Sequence, residues 1–354
     1  MKIFQSRSKA AIGLDVGSGA VKLLQLTRAG GALRVSHFAH ERLPAGAISN
    51  ENITDSSAVA AAIATAVRRG GIKTKQCVMA VSGSNVITRT IHIPAEIADS
   101  DLESRIELDA GQHIPYPLDE VNIDFTVLGP APRNAELKEV LLVASRKENV
   151  NFLQGVAEEA GFKLCVVDVE AFALANAFNE LVRPGATIAA DQTIALLDIG
   201  NTSTNLVVSR DGRLLYTREQ PFGSQSLFDE MRRRYGDEAA DINPLLGEGT
   251  QLGDLEDEIL APYKAQVVQQ VSRALQFYSS SAAQYNPVNR IFLSGASAGI
   301  PGLGQMMDDE LGIAAEVANP IAGLKVTAAV AGSALQQHAA GLMVAAGLAL
   351  RGVE

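Results

Sequence analysis

Two short stretches of this chain have the residue types that hold phosphate. Asp15-Val16-Gly17-Ser18-Gly19-Ala20 separates the apolar runs 11–14 and 21–26, and Asp198-Ile199-Gly200-Asn201-Thr202-Ser203 separates 194–197 from 205–209. Each puts an aspartate at the end of an apolar strand, followed by a Gly-rich turn. Backbone N–H groups in such a turn can approach phosphate oxygens because glycine has no Cβ to block them. An aspartate in the same turn can hold Mg²⁺, usually through water. Either stretch alone reads as an ordinary tight hairpin. Together they lie about half a chain apart, the mark of an internal duplication, and two facing hairpins can clamp a triphosphate from both sides. A third Gly-rich element, Gly295-Ala296-Ser297-Ala298-Gly299, follows the apolar strand 290–293 and would let the backbone approach a purine ring and ribose.

Other chemistries fail on pattern. The chain has no Gly-x-x-x-x-Gly-Lys-[Ser/Thr], so it carries no P-loop. Gly17-Ser18-Gly19 lacks the third glycine of a dinucleotide fingerprint and leads into a strand rather than a helix. His37, His40, His92, His113 and His338 are scattered without ligand spacing, and Cys77 and Cys165 form neither a zinc set nor a disulfide framework, which fits a reducing compartment. Arg232-Arg233-Arg234 reads as a solvated helix face, and Asp254, Glu256, Asp257 and Glu258 as the acidic start of a helix.

The elements that must position these turns follow from periodicity. Asp55 is placed to cap a helix to about Arg69, with Val59, Ile63, Ala66 and Val67 on one face and Gly70-Gly71 as its stop. Strands are expected at 33–39 and 77–81. Between about 84 and 162 the pattern changes to a compact βαββα insert: a strand through Val86 to Ile91, a helix 101–112 ended by Pro115, strands 122–128 and 140–144 joined by a turn at 129–134, and a helix 148–160 stopped by Gly161. Strand 164–167 and helix 171–182 return to the first architecture, and the second hairpin opens at Thr193. Residues 237–258 read as acidic and loop-rich. A long amphipathic helix follows, with Tyr263, Val267, Val271, Ala274, Tyr278 and Ala282 on one face. This organisation predicts an α/β protein of two lobes with duplicated cores. Its expected divisions are 1–84 with 163–190 for the first lobe, 85–162 for the insert, 191–225 with 290–354 for the second lobe, and 226–289 for a further subdomain.

Composition bounds the reading. The 354 residues carry a net charge of −10 with 47% hydrophobic and 20% charged residues, a globular profile with no basic surface for nucleic acid in the sequence as a whole. The longest apolar run, 339–350, would span about 18 Å as a helix against about 30 Å of bilayer hydrocarbon, so it reads as a buried terminal helix and no transmembrane segment is expected. Lys2, Arg7 and Lys9 with Ile3 and Phe4 are too few to anchor a protein stably on an anionic membrane.

In order and spacing, the three Gly-rich motifs resemble the two phosphate loops and the adenosine loop of the actin-like ATPase superfamily. Ala11-Ile12-Gly13-Leu14-Asp15, Val21-Lys22-Leu23-Leu24, Gln112-His113-Ile114-Pro115-Tyr116-Pro117-Leu118-Asp119-Glu120-Val121, Ser145-Arg146-Lys147-Glu148-Asn149-Val150 and Val167-Asp168-Val169-Glu170-Ala171 narrow this to the PilM family, related to the division protein FtsA. The resemblance implies an actin-like α/β fold with an FtsA/PilM-type insert, and ATP with Mg²⁺ as cofactors. It assigns Asp15, Gly17, Ser18, Gly19 and Lys22 to the first phosphate loop and Asp198, Gly200, Asn201 and Thr202 to the second. It sets Gly223 near the ribose, gives Gly295, Ala296 and Ser297 to the adenosine loop, and leaves Mg²⁺ to Asp15 and Asp198 through water. Gly19 and Ala20 replace hydroxyl residues common in the family's first loop. No residue is an obvious water-activating base, Asp168 and Glu170 being the candidates, so ATP binding is expected with turnover weak or absent.

The family further implies a cytoplasmic scaffold of the type IV pilus inner-membrane platform, peripheral to the membrane through its partners. In it, a groove between the first lobe and the insert receives the cytoplasmic N-terminal segment of PilN; Ile114, Tyr116 and Leu118 are the candidate groove residues. Regulation by nucleotide, self-association and contact with other platform proteins or the assembly ATPase stay open. The alternatives are an FtsA-like polymerising membrane adaptor and a small-molecule kinase of the same superfamily.

Overall fold

The computed structural model describes residues 11–49, 52–131, 134–236, 255–281 and 286–353. The expectations that fall on Lys2, Arg7, Lys9, 132–133, 237–254 and Ala282 therefore lie outside the described residues. The chain divides into two compact units, one of residues 81–155 and one of the remainder.

The larger unit opens with strands β1 (Ile12–Val16), β2 (Ala20–Ala29) and β3 (Ala32–Arg42), a two-residue ladder of β4 (Ile48–Ser49) and β5 (Asn52–Ile53), helix α1 (Ser56–Arg69) and strand β6 (Gln76–Val81). Asp55 caps α1 as its sequence predicts: its carboxylate accepts the Ala58 N–H at 2.9 Å, and Val59, Ile63 and Ala66 are buried.

The smaller unit comprises β7 (Val86–Pro94), α2 (Asp99–Ala110), β8 (Val121–Ala131), β9 (Asn134–Arg146) and most of α3 (Lys147–Glu159). Its sheet runs β7–β9–β8, antiparallel throughout. Ile91, Ile93, Leu102, Ile106, Ala110, Ile114, Val121, Val140, Leu142 and Ala144 form a core of its own. α2 stops two residues before the expected end, at Gly111, and the Ile114 N–H still reaches the Ala110 carbonyl at 2.9 Å.

The chain then re-enters the larger unit through β10 (Lys163–Val169) and α4 (Glu170–Ala177). The helix expected over 171–182 is α-helical only to Ala177; a wider, π-helical turn carries it to Val182. Strands β11 (Thr193–Ile199), β12 (Thr204–Arg210) and β13 (Arg213–Gln220) follow, then α5 (Gln225–Tyr235), α6 (Ala261–Ser281), β14 (Arg290–Gly295), α7 (Leu303–Leu311), β15 (Ala315–Val317), β16 (Lys325–Val326) and α8 (Met343–Arg351).

Two sheets result. One runs β10–β6–β1–β2–β3–β16 and the other β13–β12–β11–β14–β15. Each is built on the same local plan: β1 is antiparallel to β2 and parallel to β6, and β11 is antiparallel to β12 and parallel to β14. The duplication suggested by two Asp-Gly turns is thus a repeat of topology.

The end of the chain, which the two halves of the sequence assign to the second lobe, returns to the first sheet. β16 pairs with β3, and α8 packs on β1, β2 and α4. A short 3-10 stretch, Gln336–Leu342, takes the first four residues of the expected terminal helix. Met343 to Leu350 are all buried, as an all-apolar helix must be. α4 and α8 touch backbone to backbone: a Cβ on Gly347 would lie 1.9 Å from the Ala173 carbonyl oxygen.

Candidate functional site

The two Gly-rich turns share one construction. In the first, the Gly17 N–H donates to the Ala20 carbonyl at 3.1 Å; in the second, the Gly200 N–H donates to the Ser203 carbonyl at 2.9 Å. In both, the aspartate faces the residue seven positions on: Asp15 opposite Lys22 across β1–β2, and Asp198 opposite Asn205 across β11–β12. The turns meet tip to tip. Ser18 Oγ and Thr202 Oγ1 are hydrogen-bonded at 2.7 Å, and a Cβ on Gly19 would lie 3.1 Å from Asn201 Cβ. The second residue of each turn therefore meets the third of the other, the self-complementary pattern of a two-fold axis.

Behind the tips lies a cluster of charge. Lys22 Nζ pairs with Asp15 Oδ2 at 3.0 Å, with 22% of the Lys22 side chain exposed. Burial alone pulls the Lys22 ammonium down, but Asp15, Asp198 and Glu170 more than offset it, and its pKa lies above the ordinary value. For Asp198 burial pushes the carboxyl above its usual range; Lys22 and a 2.6 Å hydrogen bond donated by Ser294 Oγ oppose that shift, and the charge of Asp15 adds to it. Glu170, the first residue of α4, accepts from Asn205 Nδ2 at 3.2 Å. Three carboxylates around one ammonium leave an uncompensated negative charge, which suits a divalent cation. Among the described residues no group of three His, Cys, Asp or Glu side chains converges to chelate a bare ion. The donor set therefore fits a cation that keeps water between itself and Asp15 or Asp198, as Mg²⁺ commonly does.

Backbone approaches complete the second loop. A Cβ on Gly223 would lie 2.4 Å from the Asn201 carbonyl oxygen, the Ser224 N–H and Oγ both donate to the Gly200 carbonyl, and the Gln225 N–H donates to the Asn201 carbonyl. Gly295, with φ of +99°, brings the end of β14 against β11; a Cβ there would lie 2.1 Å from the Ile199 carbonyl oxygen. Only glycine satisfies both that dihedral and that approach. Ala296 is exposed beside it. Ser297 can serve that loop through its backbone. Its side chain is fully buried and hydrogen-bonded to the Tyr263 hydroxyl at 2.9 Å, so it braces the loop against α6 and only its backbone can serve a ligand. Burial pushes the Tyr263 hydroxyl up to about 12, so it stays protonated and can donate.

The two carboxylates proposed for catalysis separate. Glu170 belongs to the charged cluster. Asp168 is 8% exposed, accepts the Val169 N–H at 2.8 Å and pairs with Arg351 Nε at 3.1 Å, which pins the end of α8 to β10. The groove candidates also separate. Ile114 is 4% exposed within the insert's own core and cannot line a surface, because the turn after α2 folds it inward. Tyr116 and Leu118 are exposed, with the Arg146 guanidinium over the Tyr116 ring at 5.5 Å. Ser294 and Asn205 join the cluster from outside the phosphate-turn motifs. Asn205 was legible all the same, since the seven-residue spacing that pairs Asp15 with Lys22 also pairs Asp198 with Asn205. Arg232, Arg233 and Arg234 form a solvated face of α5, paired with Asp229 and Glu230. Among the described residues no helix is long and apolar enough to cross a membrane.

Comparison with known proteins bears on the fold and the family. The solved structure of a PilM-PilN type IV pilus biogenesis complex contains a chain 26% identical to this one, matched over 98% of this chain and 99% of that one with a TM-score of 0.77. The ethanolamine utilization protein EutJ from Carboxydothermus hydrogenoformans matches at 15% identity over 96% of this chain and 89% of that one, with a TM-score of 0.54, a likeness of fold. The fold is the actin-like α/β fold. A sequence model of the type IV pilus assembly protein PilM matches residues 13–353, so the chain belongs to the PilM family of type IV pilus assembly proteins.

Proposed function

We propose that this chain is a nucleotide-binding scaffold of type IV pilus assembly that docks the cytoplasmic N-terminal segment of a PilN-type inner-membrane protein. Through that partner it works at the cytoplasmic face of the inner membrane. The observation that carries the scaffold reading is the likeness to the PilM-PilN complex over nearly the full length of both chains. In the inserted unit, Tyr116 and Leu118 are exposed apolar side chains that an apolar peptide could cover, as are Leu108, Val127, Leu128 and Phe152.

The nucleotide half of the proposal rests on the paired hairpins. Backbone N–H groups of the two turns, with the Ser18 and Thr202 hydroxyls, would take phosphate oxygens, and Lys22 would supply the fixed positive charge. Asp15 and Asp198 would hold hydrated Mg²⁺, whose contribution when bound is to neutralise phosphate charge. The backbone at Gly223, Gly295 and Ala296 would face ribose and base. Glu170, bonded to Asn205 and within electrostatic reach of Lys22, is the group placed to orient a water, and weak turnover is the expected result.

Calorimetric titration with Mg-ATP tests the cleft. Wild type should bind in the micromolar range. Lys22→Met should weaken binding by tenfold or more, since a charge-assisted contact to phosphate is worth about 1.5–3 kcal/mol. A wild-type protein that fails to bind Mg-ATP would remove the nucleotide half and leave the scaffold half standing.

A further inference from the structure

The Asp15–Lys22 pair is the start of a longer row. Asp15 lies opposite Lys22 across β1–β2, and Lys22 lies opposite His40 across β2–β3. Residues directly opposite one another in an antiparallel ladder project from one face, so Asp15, Lys22 and His40 share a face of the first sheet. β3 also reaches the first Gly-rich turn itself, where the Leu43 N–H donates to the Gly19 carbonyl at 3.1 Å. Two strand spacings put the His40 backbone about 10 Å from that of Asp15. A charge on His40 therefore acts on the phosphate site from about one Debye length or less.

His40 has a partner that fixes it. Its ring stacks on that of His338, with centroids 4.2 Å apart and planes 17° apart, and the Phe38 ring lies 6.0 Å from His338. His338 belongs to the 3-10 stretch Gln336–Leu342, and a Cβ on Gly341 of that stretch would lie 4.0 Å from the Gly295 carbonyl carbon. The stack thus joins the strand beside the first phosphate turn to the segment beside the adenosine-loop glycine. Two phenyl rings would hold such a contact as well; what imidazoles add is a proton that comes and goes near neutral pH. Parallel imidazoles this close resist carrying two charges, so the pair takes one proton, and His40 is the member in the row with Lys22.

We propose that His40 is a further phosphate-binding residue of the cleft, one that takes up a proton as a nucleotide's phosphates enter. This rests on the nucleotide reading above. The charged and titratable groups on its side of the sheet are Lys22 on β2, Asp15 beyond it on β1, Arg42 two residues along β3, and His338 on the 3-10 stretch. Glu41 alternates to the opposite face and pairs with Arg69. Without a polyanion, Lys22 and Arg42 oppose another positive charge at His40, and Asp15 favours one. Bound polyphosphate reverses that balance. The imidazolium then adds its charge to that of Lys22, so affinity rises as pH falls through the imidazole range.

Calorimetric titration of the full chain with Mg-ATP at about pH 6.5, in two buffers of different ionisation enthalpy, counts the protons taken up on binding. Wild type should take up more than His40→Gln; the titrations of the γ-phosphate and of Asp198 are common to both proteins and cancel in the difference. The ratio of wild-type to His40→Gln affinity should grow about fivefold from about pH 8 to about pH 6. His338→Phe, which keeps a ring against His40, should retain the extra uptake, and His338→Ala should lose most of it. Equal uptake by wild type and His40→Gln overturns this assignment and leaves the cleft standing. Loss of the extra uptake in His338→Phe puts the proton on His338 and overturns it too. Absence of Mg-ATP binding at every pH removes the cleft and the role of His40 together.

Discussion

Asp198 shows how the candidate site stores free energy in single side chains. Burial raises its carboxyl pKa, so the folded protein holds a proton there more tightly than the unfolded chain does. The stability this contributes is complete below the ordinary value of 3.8 and is lost as pH rises through the folded value. At neutral pH the ionised carboxylate is therefore a cost to the fold, offset in part by Lys22 and Ser294. Asp198→Asn keeps the acceptor for Ser294 and leaves Lys22 with Asp15. Thermal melts should show this variant more stable than wild type at pH 7, with the gap closing as pH falls below the usual carboxyl range, while Mg-ATP binding is lost. A variant that melts lower at pH 7 by a gap independent of pH would contradict the account.

Elements matter at the two hairpins and at the crossing of α4 with α8. Ser18 and Thr202 are hydrogen-bonded to each other, so in the proposed binding mode phosphates entering between the tips would part them, and each hydroxyl would exchange its partner for a phosphate oxygen. Ser18→Cys with Thr202→Cys, in a Cys165→Ser background because Cys165 is exposed, should form a disulfide on oxidation. Mg-ATP binding should vanish in the oxidised protein and return on reduction; equal affinity in both states would refute separation of the tips. At the crossing, Gly347→Ala forces a methyl onto the Ala173 carbonyl and should cost about 3 kcal/mol or more in denaturant unfolding.

The legibility of these features differs for physical reasons. The Asp-Gly turns, the Asp55 cap and the apolar runs of β1, β11 and β14 declare themselves locally, by period and turn chemistry. β13, with exposed and half-buried residues and none buried, has no apolar face to find, and β15 and β16 are too short to carry a pattern. The return of α8 to the first sheet and the bond from Ser297 to Tyr263 are set by contacts between distant segments, which no local window contains.

The whole molecule joins two cores that the sequence interleaves. The insert has its own sheet and its own apolar cluster, and the nucleotide candidates all lie in the larger unit. Ile106, 1% exposed in the insert's core, separates the two experimentally. Ile106→Ala should lower the stability of the insert by about 3 kcal/mol, read as an earlier loss of its amide protection in hydrogen exchange. Mg-ATP affinity should not change. The family and its structural neighbour assign the molecule to pilus assembly, so the central claim concerns a partner. A labelled peptide from the cytoplasmic N-terminus of the cognate PilN, titrated against wild type and Asp198→Asn with and without Mg-ATP, tests it most directly. The account predicts saturable binding in the micromolar range or tighter, with any nucleotide effect confined to wild type. No binding in any nucleotide state would contradict it.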